Sequence, residues 1–209
     1  MDSLGHSSIA FIGDSITDAG RDRANPDSYG DGYVSLLAPE LIAGGAEVRN
    51  VGIAGDRAVD LAARWAMDLV PTAPDLLTVY VGINDVWRRF DSDDPTSTVA
   101  FEATLRELLA SAVDAFGSRL ILMEPFLLPV RDEQRGWLAE LDEKRAAVRR
   151  LADELGAELV PLHEILTAAA TEKEAAALAP DGVHPLPEAS RLIAGAWRDA
   201  QARQHPAGH

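Results

Sequence analysis

A serine, a histidine and an aspartate stand where acyl-transfer chemistry could use them. Ser15 follows an apolar run and a glycine, in Ile9-Ala10-Phe11-Ile12-Gly13-Asp14-Ser15, and Asp181 and His184 lie three residues apart in Asp181-Gly182-Val183-His184-Pro185. A hydroxyl attacks a carbonyl only when a base takes its proton, and the base needs an acid that fixes its tautomer. His184 suits the first task because an ordinary imidazole titrates near neutral pH. A tight turn through Gly182 can bring the Asp181 carboxylate back to its Nδ1. The negative oxygen formed on attack needs donors. Two more turns offer them: Gly52-Ile53-Ala54-Gly55, whose Gly55 N–H can approach closely, and Gly82-Ile83-Asn84-Asp85, whose Asn84 amide is a typical oxyanion donor. The Ser15 N–H completes the set, at the expected start of a helix whose dipole favours negative charge. Each cluster alone is also an ordinary collection of turn-formers.

What must position these residues is a layered α/β domain. Short strands are expected at residues 9–12, 47–51, 76–81, 119–123 and 157–161, the third a nearly continuous apolar run such as a strand covered on both faces carries. Between them, apolar positions recur at helical spacing over 33–41, 58–69, a segment starting at Asp94-Pro95 and ending at Gly117, 133–155, 162–178 and a last helix from Pro187. Strands separated by helices imply crossover connections and a parallel sheet with helices on both faces. The turns after the strands then gather along one edge of the sheet, where such folds hold their ligands. The stretches 21–32 and 86–94 are expected to be loops beside that edge.

Taken in order, Gly13-Asp14-Ser15, Gly55, Gly82-x-Asn84-Asp85 and Asp181-x-x-His184 resemble the four blocks of the SGNH hydrolases, also called GDSL esterases and lipases. The resemblance spans nearly the whole chain. It implies a flavodoxin-like three-layer α/β/α fold with about five parallel strands, one hydrolase domain over residues 1–209, and no cofactor; the histidines are scattered, and no cluster has the spacing of a metal site. It also implies a catalytic triad of Ser15, Asp181 and His184 and an oxyanion hole from Ser15, Gly55 and Asn84. The serine is outside the Gly-x-Ser-x-Gly pentapeptide of ordinary α/β-hydrolases. Many relatives carry a Gly-His pair a few residues after the histidine, whereas this chain reads Pro185-Leu186-Pro187-Glu188-Ala189-Ser190. That bears on the subfamily and leaves the triad untouched. The implied activity is hydrolysis of short-chain carboxylic esters, acetyl esters of carbohydrates among them. A thioesterase or lysophospholipase is the alternative within the family, and a non-catalytic ligand-binding α/β domain the alternative outside it.

The remaining candidates admit two readings each. Trp87 and Phe90 form either a wall for the alcohol part of a substrate or a loop packed on its neighbours, and Phe126, after the fourth strand, is a further pocket candidate. Arg57 and Asp18 either touch substrate or pair with nearby charges. His163 reads as structural, Asp14 and Asp85 as holding their turns, and the charged run 140–150 as a solvated helix face. With 19 Lys+Arg against 34 Asp+Glu the net charge is −15, which disfavours nucleic acid and anionic membranes as partners. There is no cysteine, so thiolate chemistry and disulfides are excluded. Residues 1–6 carry no secretory pattern and residues 204–209 read as a polar end. The expectation is a cytoplasmic enzyme without a membrane span, acting on a small-molecule ester, and the sequence is compatible with a homo-oligomer.

Overall fold

The computed structural model describes residues 7–203; the two terminal segments lie outside the described residues. Five strands form one sheet: β1 (Ser8–Gly13), β2 (Glu47–Asn50), β3 (Leu76–Tyr80), β4 (Arg119–Met123) and β5 (Glu158–Val160). All neighbours are parallel, in the order β2-β1-β3-β4-β5. This is the flavodoxin-like order, and its strand sequence reverses between β1 and β3. The ends of those two strands therefore open the crevice, with Gly13 beside Tyr80 in register.

Alternation along the strands builds two cores. Ile9, Phe11, Leu76, Tyr80, Ile121 and Met123 face one layer, packed by α2 (Tyr33–Ala43), α8 (Leu162–Glu172), the one-turn α9 (Ala175–Leu178) and α10 (Pro187–Arg203). Ala10, Ile12, Leu77, Val79, Leu120 and Leu122 face the other, packed by α3 (Ala58–Leu69), α5 (Thr98–Phe116) and α7 (Leu138–Leu155). Thr78 of β3 uses its hydroxyl to accept the Trp197 indole N–H at 2.8 Å, which anchors α10 to the sheet. Three shorter helices complete the chain: α1 (Ser15–Asp18), α4 (Ile83–Asp91) and α6 (Asp132–Arg135).

Five expectations need correction. Residues 86–94 are mostly helix: α4 runs to Asp91, with Ile83, Val86 and the ring of Trp87 turned inward. The helix expected from Asp94-Pro95 starts at Thr98, where the Ser97 hydroxyl accepts the Ala100 N–H at 3.1 Å. The segment 133–155 breaks into α6 and α7 at Gly136-Trp137, and 162–178 breaks at Lys173-Glu174. Finally, the charged run 140–150 is no simple solvated face. Lys144 is fully buried, donating to the Thr96 carbonyl at 2.9 Å and pairing with Glu140 at 3.0 Å, and Arg145 is buried as well.

Candidate active site

The serine stands where two strands end close together. A Cβ on Gly13 would lie 2.1 Å from the Tyr80 carbonyl oxygen, so only glycine lets β1 run this tightly against β3 before the chain turns. Asp14 caps α1: its Oδ1 accepts the Ile16 N–H at 3.0 Å, and Ser15 opens the helix with an N–H that has no intrahelical partner. Since α1 is one turn long, its dipole is small. Any stabilisation of charge here comes from local N–H groups.

The histidine arrives from the other end of the chain. The turn 181–184 is closed by the Asp181 carboxylate, whose Oδ1 accepts the N–H groups of Val183 at 3.0 Å and His184 at 2.8 Å. Gly182 takes φ +86°, a conformation that glycine adopts without strain. In this turn Asp181 Oδ2 lies 2.5 Å from His184 Nδ1, and His184 Nε2 lies 2.8 Å from Ser15 Oγ. The three residues expected from the sequence are thus in one hydrogen-bonded row. Burial by itself would raise the Asp181 carboxyl; hydrogen bonds from the His184 N–H, its ring and the Val183 N–H outweigh it and hold the group below its ordinary value. The acid therefore stays charged while the ring donates Nδ1–H to it, which leaves Nε2 free to accept the serine proton.

The other two turns are held in place by buried polar groups. Asn84 is buried at the start of α4 and spends one amide hydrogen on the Asp56 carbonyl at 3.0 Å, leaving the second available. Gly55 is exposed in the turn after β2. That turn is fixed by Asp18, whose Oδ2 accepts the Ala54 N–H at 2.9 Å and pairs with Arg23, so Asp18 is structural here. Asp14 holds its own turn, while Asp85 reaches across to accept the Ala58 N–H at 3.1 Å and so caps α3. Burial raises Asp14 to about 7 and Asp85 to about 6.

Two residues in this frame escape sequence reasoning. Arg64 is buried, with its guanidinium donating to the Val51 carbonyl at 2.6 Å and the Gly13 carbonyl at 3.2 Å while pairing with Asp56 at 2.7 Å. It ties the ends of β1 and β2 together. Asn50 donates to the Thr17 and Tyr29 carbonyls and accepts the Gly52 N–H. The one available signal for Arg64 is an arginine on the apolar stripe Leu61-Trp65 of α3. For Asn50 it is an asparagine at the end of β2, two residues after Val48 on the inward-facing side of the strand.

A cavity of about 130 Å³ opens beside the serine, lined by Ser15, His184, Ile16, Ala19, Gly32 and Asp31 among others. A larger groove of about 390 Å³ lies away from it, between Arg89, Thr98, Glu140 and Glu143, and includes none of the row. Of the other pocket candidates, Trp87 lies beside the row, its ring centroid 6.3 Å from that of His184. Phe90 is about half exposed and stacks on Trp137 at 5.2 Å. Arg57 pairs with Asp60 and Asp94. Phe126 is a correction: it is fully buried in the core below the sheet edge and offers a substrate no surface. His163 lies outside the row, and burial first, then Arg145 and Arg149, lower it to about 4. Among the described residues no three His, Asp or Glu side chains are placed to hold a metal ion, and no helix is long and apolar enough to cross a membrane.

Sheet order, two-sided helical cover and a serine at the reversal of strand order define the SGNH class of hydrolases. The chain belongs to the GDSL-like Lipase/Acylhydrolase family, whose pattern matches residues 11–192. It is 33% identical over 204 residues to an acetylxylan esterase of Geobacillus stearothermophilus, covering 90% of this chain and 91% of that one. Among solved structures it is similar to an alpha/beta hydrolase enzyme from the metagenome of Lake Arreo, Spain (TM-score 0.85, 34% identity, 94% of this chain and 95% of that one). It is also similar to Axe2, an acetylxylan esterase from Geobacillus stearothermophilus (TM-score 0.83, 32% identity, 93% and 94%). The chain is accordingly a carboxylic ester hydrolase.

Proposed function

We infer that the chain, as one hydrolase domain, cleaves acetyl and other short-chain esters, with carbohydrate acetates as the substrate class, through an acyl-enzyme on Ser15. The observation that carries this reading is the row Ser15 Oγ, His184, Asp181 at 2.8 and 2.5 Å. Ser15 Oγ attacks the ester carbonyl carbon as His184 Nε2 takes its proton. The carbonyl oxygen becomes negative between the N–H groups of Ser15 and Gly55 and the free amide hydrogen of Asn84. When the oxyanion collapses, the C–O bond to the alcohol breaks and His184 returns the proton to the leaving oxygen. Water, deprotonated by His184, then attacks the acyl-serine, and the acid leaves as the Ser15 hydroxyl is restored.

The small cavity of about 130 Å³ beside Ser15, lined by Ile16, Ala19 and Gly32, supports short acyl groups. The carbohydrate part of the reading draws on the acetylxylan esterase similar to this chain. The test is hydrolysis of p-nitrophenyl esters from acetyl to decanoyl and of acetylated xylo-oligosaccharides. Activity is expected to be highest on acetyl, and Ser15→Ala is expected to lower kcat by at least about 10,000-fold. Equal rates in wild type and Ser15→Ala, or a maximum at long acyl chains, would sink the mechanism or the chain-length assignment respectively.

A further inference from the structure

The turn that carries Asp181 and His184 is held from outside by a side chain the mechanism has not used. Gln134, in α6, is fully buried. Its amide Nε2 donates to the Asp181 carbonyl oxygen at 2.7 Å, and its Oε1 accepts the N–H groups of Val130 at 2.9 Å and Arg131 at 3.2 Å. This arrangement calls for a neutral group with a donor on one side and an acceptor on the other, which an amide supplies. Next to it the Leu128 N–H donates to the Gly182 carbonyl at 2.9 Å. A Cβ on Gly182 would fall 2.7 Å from the Leu128 carbonyl oxygen and 3.1 Å from both polar atoms of Gln134. The turn is therefore pressed directly onto the amide. Gln134 also reaches the other flank of the histidine, since its backbone carbonyl accepts the Trp137 N–H at 3.1 Å, and the Trp137 ring packs at 5.6 Å on Trp87, the ring beside His184.

We propose that Gln134 is a positioning residue for the hydrolysis: through Asp181 it fixes the carboxylate that orients His184, by joining the 181–184 turn to the 128–131 segment. This rests on the triad assignment above. Gln134 touches no reacting atom, so its effect falls on the geometry of the acid and appears in kcat. Displacements of about 1 Å in such sites cost on the order of 100-fold, and a partial displacement is expected to lower kcat of Gln134→Met by about 10- to 100-fold, with KM within about twofold of wild type.

The experiment is a double-mutant cycle on p-nitrophenyl acetate with wild type, Gln134→Met, Asp181→Asn and the pair, with thermal unfolding recorded for each. Asp181→Asn retains an oxygen for the turn and removes the charge. In that background the Gln134 substitution is expected to cost nothing further, because the route through Asp181 is already broken. Gln134→Glu serves as a second variant. It keeps shape and acceptor but regains the donor only when its buried carboxyl is protonated, so its kcat relative to wild type rises as pH is lowered. Three outcomes would overturn the proposal: the full loss recurring in the Asp181→Asn background, a change confined to KM, or wild-type kcat in Gln134→Met while Asp181→Asn is impaired. If Gln134→Met does not fold at the assay temperature, Gln134→Glu decides, and a kcat ratio independent of pH overturns it. Wild-type kcat in Asp181→Asn would instead remove the triad assignment, and the inference with it.

Discussion

The carboxyl next to the serine makes the stability of this chain depend on pH. Asp14 is 1% exposed, and its Oδ2 is buried without a hydrogen-bond partner. Burial first, then the charges of Asp85 and Asp56, push it from 3.8 to about 7, against the Ile16 N–H that favours the charged form. The folded chain thus binds this proton more tightly than the unfolded chain does. The contribution of this carboxyl to stability therefore falls as pH rises from about 4 to about 7 and is level above that. If Asp14 carried the whole effect, the charged form would cost about 4 kcal/mol. Asp85, raised to about 6, interacts with it, so the uptake is shared by the two carboxyls. Asp14→Asn keeps an oxygen for the Ile16 N–H and removes the charge. The variant is expected to be more stable than wild type by about 1 to 4 kcal/mol at pH 8, with the advantage gone near pH 4. Urea unfolding at pH 4, 6 and 8 measures both. Parallel pH profiles for the two proteins, or a less stable variant at pH 8, would refute the reasoning.

Two further outcomes follow from the same site. Asn84→Ala removes the amide donor while the Ser15 and Gly55 N–H groups remain, so kcat is expected to fall by roughly 100- to 1,000-fold with little change in KM; steady-state kinetics check this, and an effect on KM alone would take Asn84 out of the oxyanion hole. Arg64→Leu strips the donors from the Val51 and Gly13 carbonyls and leaves Asp56 without its pair, at an expected cost of about 3 kcal/mol in chemical denaturation. A loss below about 1 kcal/mol would mean that water replaces the guanidinium at no great cost.

The strands and the four polar turns were legible because their signals are local: an apolar run, a glycine, then residues whose chemistry needs an edge. The span 58–69 is a helix residue for residue, since its apolar stripe and the following Pro71 agree. What misled lies in tertiary context. In α4 the inward residues Ile83, Val86 and Trp87 were masked by the turn-like Gly82, Asn84 and Asp85, which serve the site and the cap of α3 at once. Lys144 reads as solvated on its own helix, and nothing nearby in sequence announces that the Thr96 carbonyl waits 48 residues away. Phe126 follows β4 at the site edge, yet the chain there dips into the core. Gln134 looks like any polar residue of a charged segment. Its role depends on the Asp181 carbonyl across the fold, a partner that no periodicity reveals.

The hydrogen bond between Ser15 and His184 closes a span of 169 residues. Non-local contacts of this kind carry a loop-closure entropy cost that local contacts avoid. Asp181 is held by Gln134 and Leu128, and the last helix is pinned to the middle strand by Trp197 and Thr78. The nucleophile and its base are thus held together jointly by the sheet, α6 and the final helix. Recovery of ester hydrolysis during refolding is therefore expected to report assembly of distant parts of the chain, where far-ultraviolet circular dichroism reports only backbone secondary structure.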